Sequence, residues 1–280
     1  MSAVLWLVVG ELLLGRHGPA MTLVVIAFLA AAASTPLGER WLAYLALRAR
    51  APRLHQRHTL APVAHVLLHH GLPSGRWVLL VVPHRQVDVT GFGRRTLIVS
   101  EGLLEEVRSR HISAATAASL IAHELGVMRV GLTRHEPAMM VLLAPWKVWL
   151  TCALTLWGLV ATFLPRRLLV MCMIINAGVG IWLGATGEPA MYLTPAVMSI
   201  VLGTWWTLRS WDRARAQIGD RYLLQTGLSG VYADLLGAEF TDDYTRDRAV
   251  RLSCPPNPEV TAPADYAPRA GVVTHTVPYL

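Results

Sequence analysis

Apolar residues in this chain are concentrated in five long runs separated by short polar breaks. The runs cover residues 3–14, 21–34, 148–164, 168–186 and 190–208. A helix needs about 20 apolar residues to cross a bilayer, with a lower limit of about 17. The first two runs are short and favour a tight hairpin, and each of the last three is long enough to span. The pattern therefore predicts about four to five hydrophobic spans. A signal peptide is the alternative for the first run, but no positively charged segment precedes it.

Composition supports a membrane location. Of the 280 residues, 54% are hydrophobic and 15% are charged, whereas a soluble domain carries about 25% charged residues. The formal net charge is +7, and in so apolar a chain this favours arginines that flank membrane spans over a surface for nucleic acid. We therefore expect lipid, and no nucleic acid, among its partners.

Arginine-rich segments follow the second and the fifth run. They contain Arg40, Arg48, Arg50, Arg53 and Arg57 in the first case, and Arg209, Arg213 and Arg215 in the second. The positive-inside rule places both clusters in the cytoplasm, although Arg166 and Arg167 oppose it if they lie on the far side. The chain is thus expected in the inner (plasma) membrane, with its polar part in the cytoplasm.

The order of apolar and polar stretches divides the chain into five parts. They are a membrane hairpin over 1–36, a polar region over 37–137, membrane segments over 138–208, a second polar region over 209–251 and a Pro-rich tail over 252–280. The tail is expected to be disordered, because its six prolines favour an extended chain.

The polar regions carry signals for a small sheet and several helices. Strands are predicted over 77–82 and 96–100, with an edge strand punctuated by glycine over 88–93. Helices are predicted over 101–110, from the N-cap candidate Ser113 to about residue 130, and over 210–224 as a continuation of the last apolar run.

His123 and Glu124 lie together in the predicted helix that follows Ser113. Zinc peptidases use the word His-Glu-x-x-His, because the i, i+4 spacing puts two imidazoles on one face while the Glu activates water. Val127 stands where the second His would be, and valine has no lone pair to donate. Taken alone, the pair is more typical of a partly buried His beside an exposed Glu.

From residue 77 to 126, however, the chain resembles the HtpX-like membrane metallopeptidases, relatives of the CAAX prenyl proteases. After a Val-rich strand come Asp-Val-Thr-Gly-Phe-Gly-Arg-Arg at 88–95, Thr-Leu-Ile-Val-Ser-Glu-Gly-Leu-Leu-Glu at 96–105 and Leu-Ile-Ala-His-Glu-Leu-Gly at 120–126, in the family's order. The resemblance implies an α-helical membrane protein with an α+β gluzincin-like metallopeptidase domain. Residues 37–137 and 209–251 would form the two parts of that domain.

The resemblance also assigns roles to individual residues. Glu124 would be the catalytic base and His123 a zinc ligand. The edge strand would line the substrate groove through Asp88, Val89, Thr90, Gly91 and Phe92.

Two of the family's three zinc ligands are missing at the matching positions. The first is the second His, whose position is Val127. The second is the Glu of the family's Glu-x-x-x-Asp motif, whose position is Ala216, while its Asp is matched by Asp220. Catalytic zinc normally takes three protein ligands and a water, and a single His would hold the ion weakly. Asp220 and His135 are the substitute ligands we consider, with Glu136 and Asp212 as further donors. Asp220 has the competing role of pairing with a nearby arginine.

These residues leave three alternative hypotheses for the function of the chain. The leading hypothesis is a catalytically impaired metallopeptidase homologue, a pseudoenzyme, that binds a peptide or a membrane-protein partner along the edge strand without cutting it. The second is an active membrane zinc endopeptidase with substituted ligands. The third is a structural membrane scaffold subunit in which the polar helices have no catalytic role.

Overall fold

The computed structural model describes residues 18–72, 77–163, 166–238 and 243–254, together with Glu11. This part of the chain is mostly helical and contains one three-stranded sheet. Apart from Glu11, the first apolar run lies outside it, as does the Pro-rich tail from residue 255 onward, so the predictions for them stay predictions.

In the described part of the chain, three helices precede the sheet and seven follow it. They are α1 (Gly18–Ala33), α2 (Pro36–Leu47), α3 (Leu54–His69), α4 (Glu101–Arg108), α5 (Ala114–Val130), α6 (Glu136–Phe163), α7 (Arg166–Ala185), α8 (Leu193–Thr226), α9 (Ser229–Ala238) and α10 (Asp243–Ser253). The strands are β1 (Val78–Val82), β2 (Val89–Phe92) and β3 (Thr96–Ser100), and short 3₁₀ turns span Leu132–His135 and Pro189–Tyr192.

The sheet has the order β1-β3-β2, with β2 at one edge. β1 runs parallel to β3, with Val78 opposite Thr96, and β2 runs antiparallel to β3, with Gly91 opposite Leu97. The predicted strands and the predicted edge strand are confirmed. β-branched and other apolar residues make up most of these segments, which explains their strand structure.

Serine side chains start the two helices that follow the sheet. The Ser100 hydroxyl accepts from the Leu103 N–H at the start of α4, and the Ser113 hydroxyl accepts from the Thr116 N–H at the start of α5. Each such cap contributes about 1 kcal/mol because it satisfies an otherwise unpaired N–H. Gly131, at φ 85°, ends α5 in a left-handed conformation. The predicted helix from Ser113 is confirmed.

The main core forms around α5, which packs against α3, α8 and α9. Leu97, Leu103, Ile121 and Leu223 are fully buried in it. A second cluster lies on the other side of the sheet, where β1 and β3 pack against Ala43 of α2. The two parts of the polar sequence, separated by the apolar runs, therefore form one folded unit.

The predicted fold class is wrong in its number of membrane spans. Among the described residues, one helical segment, Ala190–Thr226, is long and apolar enough to cross a membrane. A second would count only if α1 and α2, which meet at a bend of 105°, were one broken span.

A span needs about 30 Å of apolar helix, and apart from Ala190–Thr226 the described apolar stretches are too short or too polar for one. The apolar helix recognised within α7 is Ile174–Ala185, about 18 Å long at 1.5 Å per residue. The first half of α6 carries Glu136, Pro145 and Lys147. One candidate span is compatible with a membrane location.

Candidate functional site

The site lies where α5 and α8 approach each other closely. Gly126 of α5 sits against the Tyr222 side chain, and Gly219 of α8 sits against the imidazole of His123. A Cβ at Gly126 would collide with the Cβ and ring of Tyr222, and a Cβ at Gly219 would collide with the His123 ring. The missing side chains therefore allow α8 to lie directly over the His-Glu pair.

His123 is buried between carboxylates and an aromatic ring, with 7% of its surface exposed. Its Nδ1 lies 3.3 Å from Oε1 of Glu124, and its Nε2 lies 3.6 Å from Oδ1 of Asp220. The ring stacks on Tyr232 at 5.2 Å between centroids. Among the described residues, Nε2 has no hydrogen-bond partner. Two facing carboxylates thus surround an imidazole that is removed from water.

Glu124 is held by an arginine and by the edge strand. Its Oε2 accepts from the Arg215 guanidinium at 2.6 Å and from the Gly91 N–H at 3.0 Å. Burial by itself raises the pKa of this carboxyl, but the hydrogen bond from His123 and the charge of Arg215 outweigh burial and lower the pKa to about 2. Glu124 is therefore an ionised, fully engaged carboxylate.

Asp220 forms a second ion pair in the same cluster. Arg248 of α10 donates to both of its carboxylate oxygens, at 2.7 Å and 2.9 Å. The guanidinium also lies 5.9 Å from the Tyr232 ring centroid. Although burial lowers the pKa of Arg248, the bonds to Asp220 outweigh burial and raise it. The predicted pairing of Asp220 with an arginine is thus present, and the arginine comes from α10, a different helix from that of Asp220.

The edge strand β2 is closed at its centre. β3 occupies one side of β2, and the Gly91 N–H on the other side is bonded to Glu124. The Gly93 carbonyl accepts from the Thr133 hydroxyl at 2.6 Å. An added strand would need such backbone groups, so a peptide cannot pair beside Gly91 while Glu124 stays in place.

The other predicted groove residues are divided between surface and core. Asp88 is exposed, and its carboxylate accepts from the Thr90 hydroxyl at 3.2 Å. Val89 and Phe92 are buried. Only Asp88 and, in part, Thr90 are therefore accessible at this edge.

His135 is exposed at the end of the 3₁₀ turn after α5. Its neighbour Glu136 joins the charged cluster instead, with Oε1 3.9 Å from Nη1 of Arg215. Burial raises the pKa of Glu136, while Arg215 opposes that shift. The structure thus brings Glu124, His123 and Asp220 together, with Glu136 beside them, and leaves His135 outside.

These side chains do not fit a zinc ion. Val127 is fully buried and Ala216 is nearly so, and neither offers a donor atom. Both carboxylates beside His123 are bonded to guanidinium groups, which would repel a divalent cation. Within the described residues, no group of three His, Cys, Asp or Glu side chains is arranged to hold a metal.

Sequence reasoning missed the positive half of the cluster. Arg215 was assigned only to membrane orientation, and Arg248 and Tyr232 were given no role. The pairs join residues 91 positions apart for Arg215 with Glu124, and 28 apart for Arg248 with Asp220. The sequence offered one local indication of this cluster: Arg215 directly precedes Ala216, the position that matches the Glu of the Glu-x-x-x-Asp motif.

Comparison with protein-family models, curated proteins and solved structures found no match to this chain. The resemblance to HtpX-like metallopeptidases therefore stays a prediction from the chain's own residues.

We expect stability to fall as pH rises from 6 to 8.5. Burial lowers the pKa of His123, but Asp220 and Glu124 outweigh burial and raise it above 6.5. Protonated His123 therefore stabilises the fold fully below pH 6.5, and this contribution is lost as pH rises through the higher folded-state pKa. The contribution of Glu124 is already complete above pH 4.5, so it does not change in this interval.

Thermal unfolding in detergent at pH 6, 7 and 8.5 measures this effect. The variant His123→Gln should show a much flatter dependence. An equal slope in the two proteins would contradict the assignment to His123.

Proposed function

We propose that this chain is a membrane protein whose polar domain is a catalytically inactive relative of the HtpX-like metallopeptidases. It binds a peptide or a membrane protein and does not cleave it. Its place is the inner (plasma) membrane, with the polar domain on the cytoplasmic side.

The ion pair between Arg215 and Glu124 carries the proposal. A metallopeptidase needs a carboxylate that can take a proton from a metal-bound water. With a pKa of about 2 and an oxygen shared between a guanidinium and an amide, Glu124 is a poor proton acceptor near neutral pH. A guanidinium thus supplies the positive charge that a metal would bring, but it has no open coordination position for water.

The proposed location is supported by the sequence of side chains along α8. Its apolar first half exposes Leu202, Trp205 and Trp206, and Arg209 stacks over the Trp205 ring at 4.4 Å. Tryptophan and arginine are enriched where a span leaves the hydrocarbon region. Arg215 follows the exposed Trp211 by four positions, about 6 Å along the helix, so the charged cluster would lie beside the membrane surface.

The closed edge of β2 weakens partner binding at that strand. A partner strand would compete with Glu124 for the Gly91 N–H, and an ionised carboxylate that loses this bond costs about 1–3 kcal/mol. Binding to β2 therefore requires a partner whose other contacts compensate for that loss.

Purified full-length protein in detergent should contain far less than one zinc per chain and should not cleave casein, because the site lacks two donors and its base is engaged. Elemental analysis and a casein digestion assay measure this, with Glu124→Gln as the matched variant. The two proteins should behave alike. One zinc per chain, together with cleavage that Glu124→Gln abolishes, would establish the endopeptidase instead.

A restoring variant tests the kinship itself. Val127→His and Ala216→Glu introduce the two missing donors, and Arg215→Ala removes the competing cation. The triple variant should bind about one zinc per chain, as a three-ligand site does, whereas Val127→His alone should not. Failure of a folded triple variant to bind zinc would contradict the alignment of α8 with the family's ligand helix.

A further inference from the structure

Helix α2 has two faces of different character. Glu39 and Ala43 are fully buried, and the Ala43 side packs on the sheet. The opposite face exposes Leu37, Trp41 and Leu45, with 65%, 59% and 74% of their surfaces accessible. Their i, i+4, i+8 spacing puts them on one stripe, and exposed Tyr44 extends it. A large apolar and aromatic stripe therefore faces away from the folded unit.

Positive charge borders this stripe. Arg40 lies within the helix, and Arg48, at φ 52°, ends it; both are exposed. Helices that lie in a membrane interface combine a Trp- and Leu-rich face with basic residues, which meet anionic headgroups. A protein partner would need no such pattern, whereas an anionic lipid surface matches both the apolar stripe and the charge.

The orientation of α1 agrees with a membrane surface at α2. In α1, more than two thirds of the surface of Val24 and of Phe28 is exposed. The 16 residues of this helix extend about 24 Å. The two helices meet at 105°, between Ser34 and Pro36. If α1 dips into the hydrocarbon region, α2 lies in the plane of the interface.

The position of α2 is fixed against the sheet. The Glu39 carboxylate accepts from the Arg94 N–H at 2.9 Å, in the turn between β2 and β3. Gly93, at φ 69°, has no Cβ and so leaves room for the Glu39 side chain. Beyond the helix, Arg50 forms an antiparallel bridge with Val81 of β1. Any surface that binds the stripe therefore orients the sheet as well.

We propose that α2 is an interfacial helix that docks on an anionic lipid bilayer and so sets the orientation of the β-sheet relative to the membrane. The proposal rests on the membrane location given above. It adds a second contact with the bilayer, distinct from the apolar half of α8.

Fluorescent labels on single cysteines test this proposal. The three native cysteines are replaced by alanine in the full-length chain, and an NBD label is attached at Leu45→Cys, at Trp206→Cys on α8, or at Glu105→Cys on the polar surface of α4. The protein is reconstituted in vesicles of phosphatidylcholine and phosphatidylglycerol at 3:1. Access of iodide to each label is measured, together with quenching by lipids that carry a shallow spin label.

We expect the label at position 45 to be about five times less accessible to iodide than the label at 105, and to be quenched by the shallow lipid label. Arg40→Gln with Arg48→Gln should reduce this protection about twofold, and so should vesicles of phosphatidylcholine alone.

Three outcomes overturn the proposal. If position 45 is as accessible as position 105 while position 206 is protected, α2 does not dock on lipid but the membrane location stands. If positions 45 and 206 are both accessible, the membrane location fails as well. Protection at 45 in detergent that disappears on dilution identifies a second copy of the chain as the occupant instead.

Discussion

Replacing Arg215 with methionine should lower the free energy of unfolding by about 3–5 kcal/mol, because it leaves the buried Glu124 carboxylate without its guanidinium. Methionine retains most of the apolar length of arginine, so the loss reports charge more than packing. Glu136, whose carboxylate faces the same guanidinium at 3.9 Å, would lose its partner as well. Chemical denaturation of the purified protein in detergent measures the change.

Two further variants separate the ion pair from a general effect on α8. Arg221→Met changes an exposed arginine of the same helix and should stay within about 0.5 kcal/mol of the natural protein. Adding Glu124→Gln to Arg215→Met should recover a large part of the loss, because the neutral amide still accepts from the Gly91 N–H. If Arg215→Met costs no more than Arg221→Met, the pair does not hold the site together.

Gly219→Ala should destabilise the fold by about 2–3 kcal/mol, although alanine favours helix by about 1 kcal/mol over glycine. The added methyl would collide with the His123 imidazole, which is fixed between Tyr232 and two carboxylates and has little room to move. α8 would have to shift away from α5, which would also weaken the bonds of Arg215 and Asp220. Thermal unfolding and the pH dependence of stability measure both effects.

Gly230→Ala is the matched control for this substitution. Gly230 lies within α9 with open space around its missing Cβ, so alanine there should be neutral or stabilising by up to about 1 kcal/mol. In a His123→Ala background, adding Gly219→Ala should cost less than it does in the natural protein, because the collision is absent. If Gly219→Ala behaves like Gly230→Ala, the close approach of the two helices is not required.

Local patterns predicted the elements that carry the site. The β-branched runs marked the three strands, Ser113 marked the start of α5, and the residues before Gly227 formed one helix continuous with the last apolar run. Each of these depends on the conformational preference or the capping of neighbouring residues, which sequence displays directly. The number of spans was overestimated because apolar runs were counted by length, whereas the described apolar helix in α7 covers only Ile174–Ala185 and the first half of α6 carries charged residues and Pro145.

The sequence by itself determined that Val127 and Ala216 offer no donors, and that a second polar region follows the apolar runs. Only the tertiary structure decided what occupies the site instead. Arg215 reaches Glu124 because Gly126 and Gly219 let α8 lie against α5. Arg248 reaches Asp220 because α10 packs on α9. Ion pairs between distant residues depend on how helices pack, and the sequence pattern of a single helix does not indicate which charged residue of another helix will lie beside it.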